Sequence, residues 1–415
     1  MDPHSGLEAM TSGAILSPFT RLRRLLADVP AGHARPIDLT LGEPREPMPA
    51  FVAEKLREAE ALFGKYPPIR GSDELRGAIA DWVVRRYGPA AAIDPAREVV
   101  PVNGSREGLF YACLPAAGRK RVPASAGRPA ILLPNPYYAA YIGGALTVGA
   151  EPVYLNATEA TGHLPDLDRL AADAALLSRT LAMFLCSPAN PQGAVASRAY
   201  VARALELARA HDFMLFFDEC YSEIYADTPP VGGLEVAAAL AGPDTPRGQR
   251  FRNLVVFNSL SKRSNLPGLR SGFCAGDATF LDQLVEIRNI VGPQVPGPTQ
   301  HASAAIWAEE QHVAVTRAAY RAKFDVCDEL LAGRYGYRRP AGGFFLWLDL
   351  KQFGGGEAAT VTLWQRCGVK VIPGAYLAQA DQDGVNPGTD HVRVALVQDA
   401  GLIREALERL VSVLA

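Results

Sequence analysis

Between residues 99 and 260 short apolar runs alternate with stretches of mixed polarity. The runs fall at 130–133, 181–186, 214–217 and 254–257. Runs this short, with no polar position inside them, are what strands buried on both faces look like. The stretches between them, such as 198–210, carry apolar residues at helical spacing. Strand alternating with helix predicts an α/β unit around a mostly parallel sheet.

The flanks differ. Residues 19–26 form a short amphipathic stretch, 37–41 read as a strand ending in Gly42, and 50–63 read as a helix. Tyr66-Pro67-Pro68-Ile69-Arg70-Gly71 is a stiff loop. Asp73 then caps or opens a helix with Leu75, Ile79, Trp82 and Val83 on one face and Gly88 beyond its end. Prolines 293, 296 and 298 interrupt the alternation. A long helix from about 299 follows, then a strand pair at 343–350 and 369–372, and a strand at 391–397. The last helix, opened by Asp399, aligns Ile403, Leu407, Leu410 and Leu414. Residues 354–356 read as a loop, and no Lys-Ser/Thr follows to make a phosphate cradle of them. The expected organisation is a disordered leader (1–14), an N-terminal segment packed on the smaller domain (15–48), a large domain (49–295) and a small α+β domain (296–415).

Composition narrows the function. With 42 basic against 44 acidic residues in 415, there is no basic excess to bind nucleic acid. The six cysteines include no Cys-x-x-Cys pair, and the seven histidines form no cluster with metal-ligand spacing, so neither a disulfide framework nor a metal is expected. No apolar run reaches membrane-spanning length, and residues 1–14 lack a signal peptide's pattern. The cytoplasm is the expected compartment.

Polar residues that could carry chemistry follow the apolar runs closely: Tyr138, Asn190, Asp218 and Lys262. Open α/β sheets bind ligands outside the carboxyl ends of their strands. Lys262 sits just past the 254–257 run, in Ser-Leu-Ser-Lys-Arg-Ser-Asn-Leu-Pro-Gly-Leu-Arg-Ser-Gly, with Arg263 beside it and Arg270 eight positions on. A lysine crowded by a cation or by apolar walls has a lowered pKa and can condense with an aldehyde. An arginine nearby can grip a phosphate. The competing reading is a surface lysine in a basic loop. Asp218 ends an apolar strand, where a carboxylate needs a cationic partner or serves as a helix cap. Asn103-Gly104-Ser105-Arg106 precedes a helical run, as an anion site or a plain cap. Arg393, in an otherwise apolar strand, suits a carboxylate or a structural salt bridge.

The spacing Ser-Lys-x-x-x-x-x-Gly-x-Arg-x-Gly resembles the lysine motif of the fold-type I, class I/II aminotransferases, which use pyridoxal phosphate. Gly42, Tyr66, Gly104-Ser105, Tyr138, Asn190, Asp218, Tyr221, Lys262, Arg270 and Arg393 match it in order over nearly the whole chain after residue 15. The resemblance implies a large cofactor-binding domain with a mostly parallel sheet, a smaller α+β domain and a homodimer with shared sites. It makes Lys262 the lysine that takes the cofactor aldehyde. It assigns Gly104, Ser105, Arg106, Arg270 and the partner's Tyr66 to the phosphate, Ser259 and Ser261 to the cofactor without a stated part of it, and Tyr138, with Tyr137 as competitor, to the ring face. Asp218 goes to the ring nitrogen, and Asn190 and Tyr221 to the ring oxygen. Arg393, Gly42 and Asn190 go to the substrate. The loops Leu-Gly-Glu-Pro and Asn-Gly-Ser-Arg-Glu-Gly are similar to those of the N-succinyldiaminopimelate aminotransferases. That likeness implies glutamate as amino donor and an N-succinyl-2-amino-6-oxopimelate-type acceptor, in lysine biosynthesis.

Transfer to aromatic, methionine or aspartate substrates, a carbon–sulfur lyase, and the sensing domain of a transcription regulator are the alternatives. A succinyl arm needs a distal cation; the segment 291–298 has no arginine, and Arg288 is the nearest. That leaves Arg106, Arg263, Arg35 and Arg45 as candidates.

Overall fold

The computed structural model describes Glu8 and residues 16–415 apart from Pro243 and Pro293. The expected leader, apart from Glu8, lies outside the described residues.

The chain enters through the helix Pro18–Leu25, capped by the Ser17 hydroxyl, and a two-residue strand, β1 (Ile37–Asp38). The predicted helix at 50–63 divides into an α-helix, Val52–Glu58, and a 3-10 turn, Glu60–Gly64. Asp73 opens the helix Asp73–Tyr87, and Ser72 caps it; the Ser72 hydroxyl accepts from Leu75 N at 3.2 Å. Strands β2 (Val99–Val102), β3 (Ala130–Asn135), β4 (Glu151–Asn156), β5 (Thr180–Cys186), β6 (Met214–Asp218), β7 (Leu254–Ser259) and β8 (Gly272–Gly276) follow. They form one sheet in the order β2-β8-β7-β6-β5-β3-β4. Pairing is parallel except where β8 runs antiparallel to both β2 and β7. Helices cover both faces, and a separate apolar cluster lies on each. This is why β5, β6 and β7 are buried at every position and read as unbroken apolar runs.

Beyond the proline-rich break the long predicted helix is two, Gly297–Ala308 and Gln311–Leu331. The strands β9 (Phe345–Asp349), β10 (Val369–Lys370), β11 (Ile372–Pro373) and β12 (His391–Ala395) come next. The predicted pairing of 343–350 with 369–372 does not form. β12 lies between β11 and β9, antiparallel to both, and β10 pairs in parallel with β1. The N-terminal segment is thus stitched to the C-terminal sheet. Residues 355 and 356, expected in a loop, open the helix Gly355–Cys367. The final helix, Ala400–Val413, is capped by Asp399 and buries Ile403, Leu407 and Leu410.

The core under the C-terminal sheet contains Phe344, Phe345 and Val394, and also Cys186, Cys220 and Tyr221. The last three sit at or just beyond the ends of β5 and β6. The C-terminal layer therefore roofs the carboxyl ends of the central strands.

Candidate active site

Under that roof the residues that follow the central strands converge. Lys262 lies in a single helical turn, Leu260–Arg263, directly after β7. Its Nζ donates to the Gly42 carbonyl and stands 5.5 Å from the centroid of the Phe344 ring. Burial draws its pKa down to about 8; Arg393 and Arg106 push the same way, while Cys220 and Glu43 oppose. The crowding cation is not Arg263, as its adjacency in sequence suggested. Arg263 is buried against Glu310 at 2.6 Å and the Ile306 carbonyl at 3.0 Å, with its guanidinium over Trp307. Consecutive residues in a helical turn point in different directions, and this one points into the core.

Asp218 ends β6 and is 5 % exposed. Its carboxylate accepts from Tyr141 Oη at 2.7 Å and from Cys220 N at 3.1 Å. Both donors are neutral, and among the described residues no cation lies within ion-pair distance. Burial consequently raises its pKa. A buried carboxylate without a cation fits a positively charged ring nitrogen delivered from outside.

Gly104, at φ +82, turns the chain into the helix Ser105–Tyr111. A Cβ there would collide with the Arg270 guanidinium, whose Cζ would lie at 2.9 Å. Arg270 itself adopts φ +56 and donates to the carbonyls of Pro267 and Asn103, each at 2.9 Å. Among the described residues no carboxylate pairs with it. Ser259 Oγ accepts from Ser261 N at 3.1 Å and lies 2.9 Å from Ser261 Oγ. Gly104, Ser105, Ser259, Ser261 and Arg270 thus gather where β2 and β7 end and β8 begins.

Tyr138 and Tyr137 part company. The Tyr138 hydroxyl accepts from Arg106 Nε, and its ring lies edge-on to Tyr141 at 5.7 Å. Tyr137 turns toward the C-terminal layer, where its hydroxyl accepts from Gln379 at 3.2 Å and its ring packs on Tyr154. Of the two, Tyr138 is on the Asp218 side.

Arg393, on β12, is 6 % exposed. It donates from Nη2 to the Thr40 carbonyl at 2.7 Å and from Nη1 to Asn190 Oδ1 at 3.3 Å, while Nε has no partner. Asn190 Nδ2 in turn donates to Tyr221 Oη at 3.4 Å. No acidic side chain neutralises Arg393, so the salt-bridge reading of the sequence does not hold among the described residues. An orphaned N–H on a buried guanidinium fits a carboxylate supplied by a ligand. Tyr66 stands apart from this group, 99 % exposed in the single chain.

Sequence reasoning missed Tyr141 and Phe345. Tyr141 stacks on Phe184 at 4.3 Å and bonds Asp218. Its three-residue spacing from Tyr138 was the available signal. Phe345 lies under Arg393, at 4.5 Å from Cζ to ring centroid.

A family model, aminotransferase class I and II, matches residues 34–410. The chain belongs to the class I and II aminotransferases. The cofactor of such an enzyme is pyridoxal phosphate, and the cationless Asp218, the Gly104–Arg270 turn and the low-pKa Lys262 fit it. An LL-diaminopimelate aminotransferase of Desulforudis audaxviator is 30% identical over 401 residues, 94% of each chain. Transaminase BacF of Bacillus subtilis is 30% identical over 382 residues, 90% of this chain and 88% of that one. The crystal structure of an aminotransferase from Neisseria meningitidis superposes with a TM-score of 0.88 at 36% identity, covering 96% of this chain and 98% of that one. Of these three, the first alone is named for a substrate, and that is unacylated diaminopimelate rather than the N-succinyl form.

Proposed function

We propose that this aminotransferase moves an amino group between glutamate and an N-succinyl-2-amino-6-oxopimelate-type keto acid. The observation that carries the substrate reading is Arg106. Of the four arginines proposed for a distal carboxylate, Arg35 is exposed and pairs with Glu405 at 3.6 Å, and Arg263 is locked in the core. Arg45 donates to the Gln398 side chain at 2.9 Å. Arg106 has no carboxylate partner among the described residues, is held by Tyr138 and acts electrostatically on Lys262. A cation so placed suits the far carboxylate of a long acceptor.

Bound pyridoxal phosphate supplies an electron sink that weakens the substrate Cα–H bond. The protein's own residues do the rest. Lys262 holds the cofactor and, once released by the amino donor, moves the proton at Cα. Asp218 pairs with the ring nitrogen, Tyr138 covers the ring, and Asn190 and Tyr221 address its oxygen. The Gly104-Ser105-Arg106 backbone, Ser259, Ser261 and Arg270 cradle the phosphate. Arg393, with Asn190 and the Gly42 backbone, takes the α-carboxylate. Tyr66 reaches the neighbouring subunit's phosphate in a homodimer. Its full exposure, with Phe63 at 69 % and Ile290 at 84 %, supports an interface there. The division at residues 48 and 295 and a cytoplasmic setting, supported by six free buried cysteines, complete the proposal.

Unacylated LL-diaminopimelate is the second reading, favoured by the name of the Desulforudis audaxviator relative. Kinetics with the succinylated and free acceptors, on wild type and Arg106→Ala, separate the two. A loss confined to the succinyl form, of roughly 1.5–3 kcal/mol for one charge-assisted hydrogen bond, supports the first. Turnover of the free form alone overturns it.

A further inference from the structure

We infer that Phe345 is a positioning residue for Arg393, and that its ring face, together with the missing side chain at Gly42, sets the affinity of the enzyme for α-carboxylates. The inference rests on the reading of Arg393 as the α-carboxylate site.

The geometry follows from strand register. Arg393 pairs with Trp347, and Phe345 pairs with Ala395, across the antiparallel β12–β9 ladder. Phe345 is thus the diagonal neighbour of Arg393 on the same face of the sheet. Its ring sits 4.5 Å below the guanidinium carbon. A planar cation over an aromatic face is attracted by the ring quadrupole and loses little freedom when it binds. Arg393 needs such support, because it is buried and among the described residues has only neutral acceptors: the Thr40 carbonyl and Asn190 Oδ1. The ring occupies one face of the guanidinium without taking a donor. The Nε–H, which has no protein acceptor, therefore stays free for a ligand oxygen.

The ring is itself wedged. Phe345 packs against Phe344 at 4.8 Å and against Tyr221 at 5.8 Å. On the other side is Gly42, where any Cβ would run into the Phe345 ring, with Cε1 at 3.0 Å. The backbone that gives Thr40 O to Arg393 also gives Gly42 O to Lys262. A side chain at 42 would push the ring off the guanidinium or push the segment away from both cations.

The test uses purified holoenzyme with glutamate as donor. Phe345→Leu keeps apolar bulk and removes the ring face. It should raise the KM for glutamate by about 2- to 30-fold, the span of a partly to fully desolvated cation–π contact, with a much smaller change in kcat. Phe345→Tyr, which keeps the ring, should bring the KM back. Arg393→Gln, which removes the cation, should raise the KM on its own, and adding Phe345→Leu to it should cost nothing further, because the ring acts through that cation. Thermal unfolding of each variant reports folding, and Phe345→Met replaces Phe345→Leu if that variant is unfolded. An unchanged KM in Phe345→Leu, or full additivity in the double variant, overturns the role of Phe345 while leaving Arg393 in place. An unchanged KM in Arg393→Gln overturns the carboxylate site itself and this inference with it.

Discussion

Replacing Asp218 by Asn separates the two states of the enzyme by sign. Without cofactor, Asp218 is a buried carboxylate with two neutral donors and no cation, and burial raises its pKa. A carboxyl whose folded pKa is raised contributes stability below its ordinary pKa, and that contribution is lost as pH rises through the raised value. Burying that charge is therefore a burden on the apoenzyme, and Asp218→Asn should leave apo thermal stability unchanged or higher. In the proposed site, bound cofactor would bring the same carboxylate a cationic ring nitrogen. Removing one partner of a buried ion pair costs roughly 3–5 kcal/mol, because the other charge is left uncompensated. At about 1.4 kcal/mol per decade, turnover should fall roughly 10²- to 10⁴-fold. The assay pairs apo and holo melting curves with single-turnover rates for glutamate. Normal turnover and cofactor retention in Asp218→Asn, or a destabilised apoenzyme with unaltered holoenzyme kinetics, would refute this reasoning.

Other consequences are as direct. Tyr141→Phe removes the 2.7 Å hydrogen bond to Asp218 and should slow turnover about 10-fold, as for a hydrogen bond to a charged group; stopped-flow half-reaction rates measure it. Only the neutral amine of Lys262 attacks an aldehyde, and its pKa is about 8. The rate of cofactor uptake by apoenzyme should therefore climb about tenfold per pH unit below that value and level off above it; a rate still climbing steeply at pH 10 would mean an ordinary lysine. Co-expressed Tyr66→Phe and Lys262→Ala chains should form mixed dimers with one intact site, more active than either parent; activity no higher than the parents would assign Tyr66 to its own chain.

The sequence disclosed the central sheet because its middle strands are buried on both faces, which leaves no polar position to disguise them. It also disclosed residues fixed by local chemistry: Asp218 at a strand end, Lys262 just past one, and the Gly104 turn. Pairing among the C-terminal strands was hidden, since β10 and β11 are two residues each and the partner of β10 lies at the other end of the chain. Arg263 was misjudged because neighbours in sequence can face opposite ways, one to the pocket and one to Trp307. Phe345 was invisible as a site residue because an apolar side chain in an apolar strand carries no mark of the cation above it.

The most direct test of the account is the identity of the lysine that holds the cofactor. Borohydride reduction of the holoenzyme fixes the cofactor to that lysine, and peptide mass spectrometry locates it. The account predicts that the label falls on Lys262 alone, and that Lys262→Ala takes up no label and performs no transamination. Label on any other lysine, or wild-type turnover in Lys262→Ala, would contradict it.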